Sequence, residues 1–234
     1  MVQPHMIAPE LRTLAQIADG GEFRTAITLV NQDSLPAYVR LKFHKEGAAG
    51  ATTDWLLTFE DGSSSSSTFI IPPCSSITLR TAGASAQVQQ GWGEIDAVGY
   101  WVRGFAVFEQ KVQGRPDQEA AVPVNNGTPK RILMPFDNTT GFTTSIALAN
   151  LNDFDASDFN LLFRNSAGQK IATGLVNLPA LGHTAFRLID RYPALNDLSG
   201  TLEISTLTGE PSAIGLRFTQ TGAYTTFKSA PVTQ

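Results

Sequence analysis

Chemistry near neutral pH draws first on histidine, cysteine and clustered carboxylates, and this chain holds few of them. Its histidines are His5, His44 and His183, and its single cysteine is Cys74. A hydroxyl or thiol nucleophile needs a base beside it, most often an imidazole. No Gly-x-Ser-x-Gly elbow accompanies any of the three, and no second histidine or cysteine stands at ligand spacing. His5 lies in an amino-terminal arm, His44 is opposite in phase to Phe43, and His183 opens a strand. Each reads as a surface or turn residue. A lone cysteine forms no intrachain disulfide and builds no cysteine zinc site, so Cys74 reads as a small, buried or half-buried side chain. No Gly-rich phosphate cradle follows a strand. The expectation is a chain without catalytic residues, cofactor or resident metal, hence not an enzyme.

Two residue groups remain. Asp153, Asp155 and Asp158 place three carboxylates in one turn, the oxygen-rich setting that calcium favours. The glycine and glutamate of an EF-hand loop are missing, so these residues are a weak calcium candidate beside a solvated turn. The second group is aromatic. A strand phase with Phe108 and Ile95 inward leaves Trp92, Phe105 and Val107 on an outer face. A hairpin centred near Val98-Gly99 would set Trp92 opposite Phe105 and Glu94 opposite Arg103. Tyr100 and Trp101 at that hairpin tip, and Trp55 elsewhere, complete a candidate interaction surface. Its cover would be the rest of the protein, a partner or a glycan.

The elements that must position these residues come from a repeat. Phe23-Arg-Thr-Ala-Ile-Thr-Leu-Val-Asn31 aligns without a gap on Phe142-Thr-Thr-Ser-Ile-Ala-Leu-Ala-Asn150. Val39, Leu41 and Phe43 then match Phe159, Leu161 and Phe163. Pro72 matches Pro179, and Leu79-Arg80 matches Phe186-Arg187. Gly91-Trp-Gly-Glu-Ile95 matches Gly200-Thr-Leu-Glu-Ile204, and Phe108-Glu-Gln110 matches Phe218-Thr-Gln220. Apolar residues alternate with polar ones, the period of strands with one buried face. The fold class expected is all-β: two tandem immunoglobulin-like antiparallel β-sandwiches related by internal duplication. Residues 1–12 form an arm, 13–125 the first module with an insertion at 45–68, and 130–234 the second. The insertion holds Gly62 followed by five serines, which reads as a mobile loop tip. The arm is expected to pack along a sheet edge or over the Trp92–Phe105 face, of its own chain or of a neighbour.

Composition narrows the class. Apolar residues are 42% and charged residues 16% of 234, which excludes a disordered, highly charged chain. A net charge of −4 lacks the basic excess of nucleic-acid binding, and no apolar run reaches the length of a membrane span.

Several segments carry a resemblance. These are Leu14-Ala-Gln-Ile-Ala-Asp-Gly-Gly21, Val88-Gln-Gln-Gly-Trp-Gly-Glu94 and Gly104-Phe-Ala-Val-Phe108. Pro135-Phe-Asp-Asn138, Gly182-His-Thr-Ala-Phe186 and Leu216-Arg-Phe218 add to them. Together, from residue 14 to 232, the chain resembles uncharacterised tandem immunoglobulin-like modules of secreted or surface bacterial proteins. That resemblance implies an extracellular or cell-surface address and a non-catalytic structural or adhesive role through protein–protein contacts or self-association. A carbohydrate-binding sandwich is the alternative, with a periplasmic pilus-type chaperone ranked below it.

Overall fold

The computed structural model describes residues 11–97, 101–114 and 116–232. Residues 1–10 of the expected arm, and Tyr100, lie outside that set. The chain is all-β, with several antiparallel sheets of which none closes on itself. The first half contributes β1 (Arg12–Asp19), β2 (Phe23–Asn31), β3 (Ala37–Glu46), β4 (Thr52–Asp54) and β5 (Thr68–Ile71). It continues with β6 (Ser76–Arg80), β7 (Gln89–Asp96), β8 (Val102–Gln110) and β9 (Gln118–Pro123). A two-residue β10 (Asn125–Asn126) returns to pair with β1. The second half contributes β11 (Arg131–Asp137), β12 (Thr143–Asn150), β13 (Ser157–Asn165), β14 (Lys170–Leu178) and β15 (His183–Arg187). After the one-turn helix α1 (Leu188–Arg191) come β16 (Ser199–Ser205), β17 (Pro211–Phe218), β18 (Tyr224–Lys228) and β19 (Ala230–Pro231).

The two halves pair their strands in the same order. One sheet of the first half runs β1-β7-β3, with β4 and β5 both on β3; its counterpart runs β11-β16-β13-β14. The other sheets run β6-β2-β8-β9 and β15-β12-β17-β18. Side-chain bonds repeat too. The Thr25 hydroxyl donates to the Ala18 carbonyl at 2.6 Å, and the Thr144 hydroxyl donates to that of Asp137 at 2.8 Å. The Asn31 amide donates to the carbonyls of Leu35, Ile71 and Pro72, and that of Asn150 to those of Asp155, Leu178 and Pro179. Each asparagine pins its own loop to the end of a strand, because its amide hydrogens are shared among carbonyls of both segments.

The strand order differs from the immunoglobulin one, in which the first strand lies beside the second and the last beside the sixth. Here the first strand of each half lies beside the sixth core strand, and β8 and β17 lie beside β2 and β12. The expected β7–β8 hairpin is therefore absent. Trp92 pairs with His44, and Phe105 pairs with Thr28 and Pro123, in different sheets. From their two sheets, Ile95 and Phe108 point into the same core.

Most of the expected core is buried: Ile27, Leu29, Val39, Leu41, Phe43, Phe108, Ile146, Leu148, Phe159, Leu161 and Phe163. Phe23, Phe142 and Phe218 are only half-buried. One register differs. Thr25 and Thr144 are equivalent, and they pair with Phe108 and Arg217 respectively. The structural match to Phe108 is thus Arg217, one residue before the Phe218 that the sequence aligns. This slip turns Ile214 and Leu216 away from the second core and toward the first half, where they join its cluster together with Ala147. Ala213 stays in the second core.

The insertion is more than a polar tip. Trp55, Leu57 and Phe59 alternate into the first core, and Ser65 is buried beneath them, its hydroxyl accepting from the Leu57 amide. Alternation at 55, 57 and 59 is the strand period, obscured in the sequence by the serines that follow.

Candidate functional site

The most elaborate constellation of side chains lies where the halves meet. Even-numbered residues of β3 and β7 face away from the first core, so His44 and Glu46 share an outer face with Gln90, Trp92 and Glu94. The outer side of the β12–β17 sheet covers one end of that face. Trp92 is fully buried there, against Ala149, Leu151, Leu11 and Leu181, and its indole N–H donates to the Leu181 carbonyl at 2.9 Å. The Thr52 hydroxyl donates to the same carbonyl at 2.9 Å. Gly182 sits so close that a Cβ would stand 2.8 Å from the Gly50 carbonyl, and Gly50 itself has φ +76°. Two glycines therefore let the two backbones touch.

Both described histidines are in this joint. The His44 ring stacks on Trp92 at 4.4 Å, and its Nε2 lies 2.6 Å from Oε1 of Glu94. Its side chain is 1% exposed, whereas the sequence phase alone puts it on the surface. His183, from β15, is wholly buried: Nδ1 lies 2.8 Å from Oε2 of Glu46 and Nε2 lies 3.3 Å from the Ala15 carbonyl. The Gln90 amide donates to that same Oε2 at 3.1 Å. Further along, the hydroxyls of Thr13 and Ser212 share a bond of 2.8 Å, and Asn125 donates to Ser212 at 3.1 Å. Phe108 stacks on Tyr224 across the joint, and burial, then the charge of Glu119, push the Tyr224 phenol up from its ordinary range.

A polar cleft of about 320 Å³ opens beside Glu46 and Gly50, walled on the other side by Asn177, Thr184 and Arg191. The Arg191 guanidinium lies 3.6 Å over the Phe186 ring, with Nη2 3.4 Å from the Thr184 hydroxyl. Chemically, the joint binds and orients. Both imidazoles engage carboxylates or a carbonyl, and among the described residues neither is hydrogen-bonded to a hydroxyl or thiol.

The other sequence candidates disperse. Trp55 is in the first core, Trp92 is in the joint, and Phe105, 43% exposed, sits on the opposite sheet with Val107 half-buried beside it. Trp101 is exposed under the Arg103 guanidinium. Asp153, Asp155 and Asp158 are exposed; Asp158 accepts from Asn177 at 2.9 Å, and no group able to hold a metal occurs among the described residues. Of the expected arm, Leu11 packs on the Trp92 cluster and Arg12 opens β1. Cys74 is exposed rather than half-buried, in a turn at φ 49°.

Sequence reasoning did not find the histidine–glutamate pairs. A signal exists: β12 and β17 carry apolar residues on both faces, the mark of strands covered on two sides. It also did not find the loop tips. Phe154 and Leu207 are 84% and 94% exposed on adjoining loops, tied by the Leu151 amide to the Glu210 carbonyl at 2.8 Å. The matching loops of the first half expose Leu35 and Trp101, tied by the Gln32 amide to the Trp101 carbonyl at 2.8 Å.

No family model, no curated protein and no solved structure matches this chain. No helix is long and apolar enough to cross a membrane among the described residues.

Proposed function

We propose that the chain is a non-catalytic structural or adhesive unit of the cell exterior, built by duplication of one β-sandwich module and acting through protein–protein contacts. One observation carries this reading: Phe154 and Leu207 stand almost fully exposed on neighbouring loop tips. A large apolar side chain at a loop tip is unfavourable in water and becomes favourable when a partner covers it. The equivalent loops of the first half present Leu35 and Trp101, so one chain offers two contact points, which raises avidity. The likeness to tandem immunoglobulin-like modules supports the reading at the level of paired sandwiches, and the external address rests on that likeness. Protease treatment of intact producing cells tests the address.

The test of function is adhesion. Beads coated with the chain are expected to clump, or to adhere to producing cells. The double variant Phe154→Ser, Leu207→Ser is expected to abolish this with an unchanged melting temperature. Adhesion that persists in the double variant, or none with the wild type, overturns the reading. Of the aromatic residues that the glycan alternative would use, Trp55 is buried, Trp101 is exposed, and Tyr100 lies outside the described residues.

A further inference from the structure

His183 crosses from the second half into the first, and both of its ring nitrogens face groups that only accept. The Glu46 carboxylate lies 2.8 Å from Nδ1, and the Ala15 carbonyl lies 3.3 Å from Nε2. A neutral imidazole carries one N–H and can satisfy one of them; the imidazolium carries two and satisfies both. We propose that His183 is a proton-operated latch between the halves: its bound proton ties the ring to β1 and β3 together, and loss of the proton releases one of the two bonds.

The charges around it are few. On β3, Glu46 faces the ring directly, and His44 lies two residues away. On β7, Gln90 donates to Glu46, and Glu94 is taken by His44. On α1, Arg191 shares the cleft with Glu46, and Thr184 lies beside it. On β4, Asp54 pairs opposite His44. β1 offers a backbone carbonyl, and the β12 residue opposite His183 is Ala149. Glu46 is thus the carboxylate that balances the ring.

The folded joint uses a ring proton that the unfolded chain does not need, so its contribution is full while both ring nitrogens carry hydrogen and falls when one of those hydrogens is lost. A buried acceptor left without a donor shifts the folding equilibrium by about five-fold or more.

Two measurements on the whole chain test this. Nitrogen-15 spectra of histidine-labelled protein near pH 6 are expected to show both His183 ring nitrogens protonated. Urea titrations from about pH 6 to about pH 8.5 are expected to show a fall of roughly five-fold or more in the folding constant. In Glu46→Gln, the new amide donates to Nδ1 while Nε2–H donates to Ala15, so a neutral ring suffices and the pH slope flattens. One protonated nitrogen on His183 near pH 6, or a wild-type slope in Glu46→Gln, overturns the latch. Should Glu46→Gln fail to fold, the spectra of the wild type decide alone.

Discussion

Glu203 receives two arginines at once. Arg131 meets it with Nε at 2.8 Å and Nη2 at 2.9 Å, and Arg164 adds a bond at 2.8 Å. The Arg131 hydrogen bonds, first, and the Arg164 bond hold its carboxyl below the usual carboxylate range, against the opposing effect of burial. A lowered carboxyl contributes stability that is present above the unfolded pKa and is lost as pH falls through the folded one. Acid titration of the fold is therefore expected to show a loss below about pH 4 that Glu203→Gln removes. Circular dichroism from neutral to acid pH checks it, and an unaltered acid midpoint in the variant would contradict the assignment. The same position in the first half is Glu94, and there it holds His44 instead. One position thus serves a charged outer sheet in one half and the joint in the other.

At the scale of the strand, β8 and β17 occupy equivalent places with opposite fates. Phe105 and Val107 match Ile214 and Leu216 by their pairing with β2 and β12. On β8 these positions face outward, and Phe105 is 43% exposed; on β17 they are packed between the halves, and Ile214 is 2% exposed. Ile214→Arg buries a charge with no partner and is expected to cost about 3–5 kcal/mol. Phe105→Arg replaces an exposed ring and is expected to cost under about 0.5 kcal/mol. Chemical denaturation of both variants measures the contrast, and equal costs would mean that the pairing register is misassigned.

At the scale of the whole molecule, the first core does not end at its own sandwich. Ala147, Ile214 and Leu216 of the second half belong to the same buried cluster as Ile27, Leu41 and Phe108. Shared burial couples unfolding, because neither half can open without exposing the joint. Calorimetry is expected to show one transition with equal van't Hoff and calorimetric enthalpies. Trp92→Ala removes the largest side chain in the joint and its bond to Leu181, and is expected to split that transition in two. Two transitions in the wild type would show that the halves are thermodynamically independent.

The alternation of Val39, Leu41 and Phe43, and of Phe159, Leu161 and Phe163, was enough to establish strands with one buried face. Period two and turn chemistry are local properties, and local properties can be read along a chain. Asn31 and Asn150 were legible as matching residues, but their bonds to the carbonyls of Ile71 and Pro72, and of Leu178 and Pro179, were not, since those partners lie about 30 to 40 residues further along the chain. The joint was hidden for a related reason. A sequence shows that His44 and Trp92 each point away from the buried side of their own strands, and says nothing of what lies there. Whether that outer side meets water or another sheet depends on how the second half docks, and docking is set by shape and by long-range contacts. Strand order was equally out of reach, because a hairpin and a crossover between sheets place the same alternating residues inward. The one-residue slip at β17 shows the limit most sharply. Phe218 matches Phe108 letter for letter, yet pairing with β12 sets Arg217 in its place, and that single step turned Ile214 and Leu216 into the contact that holds the halves together.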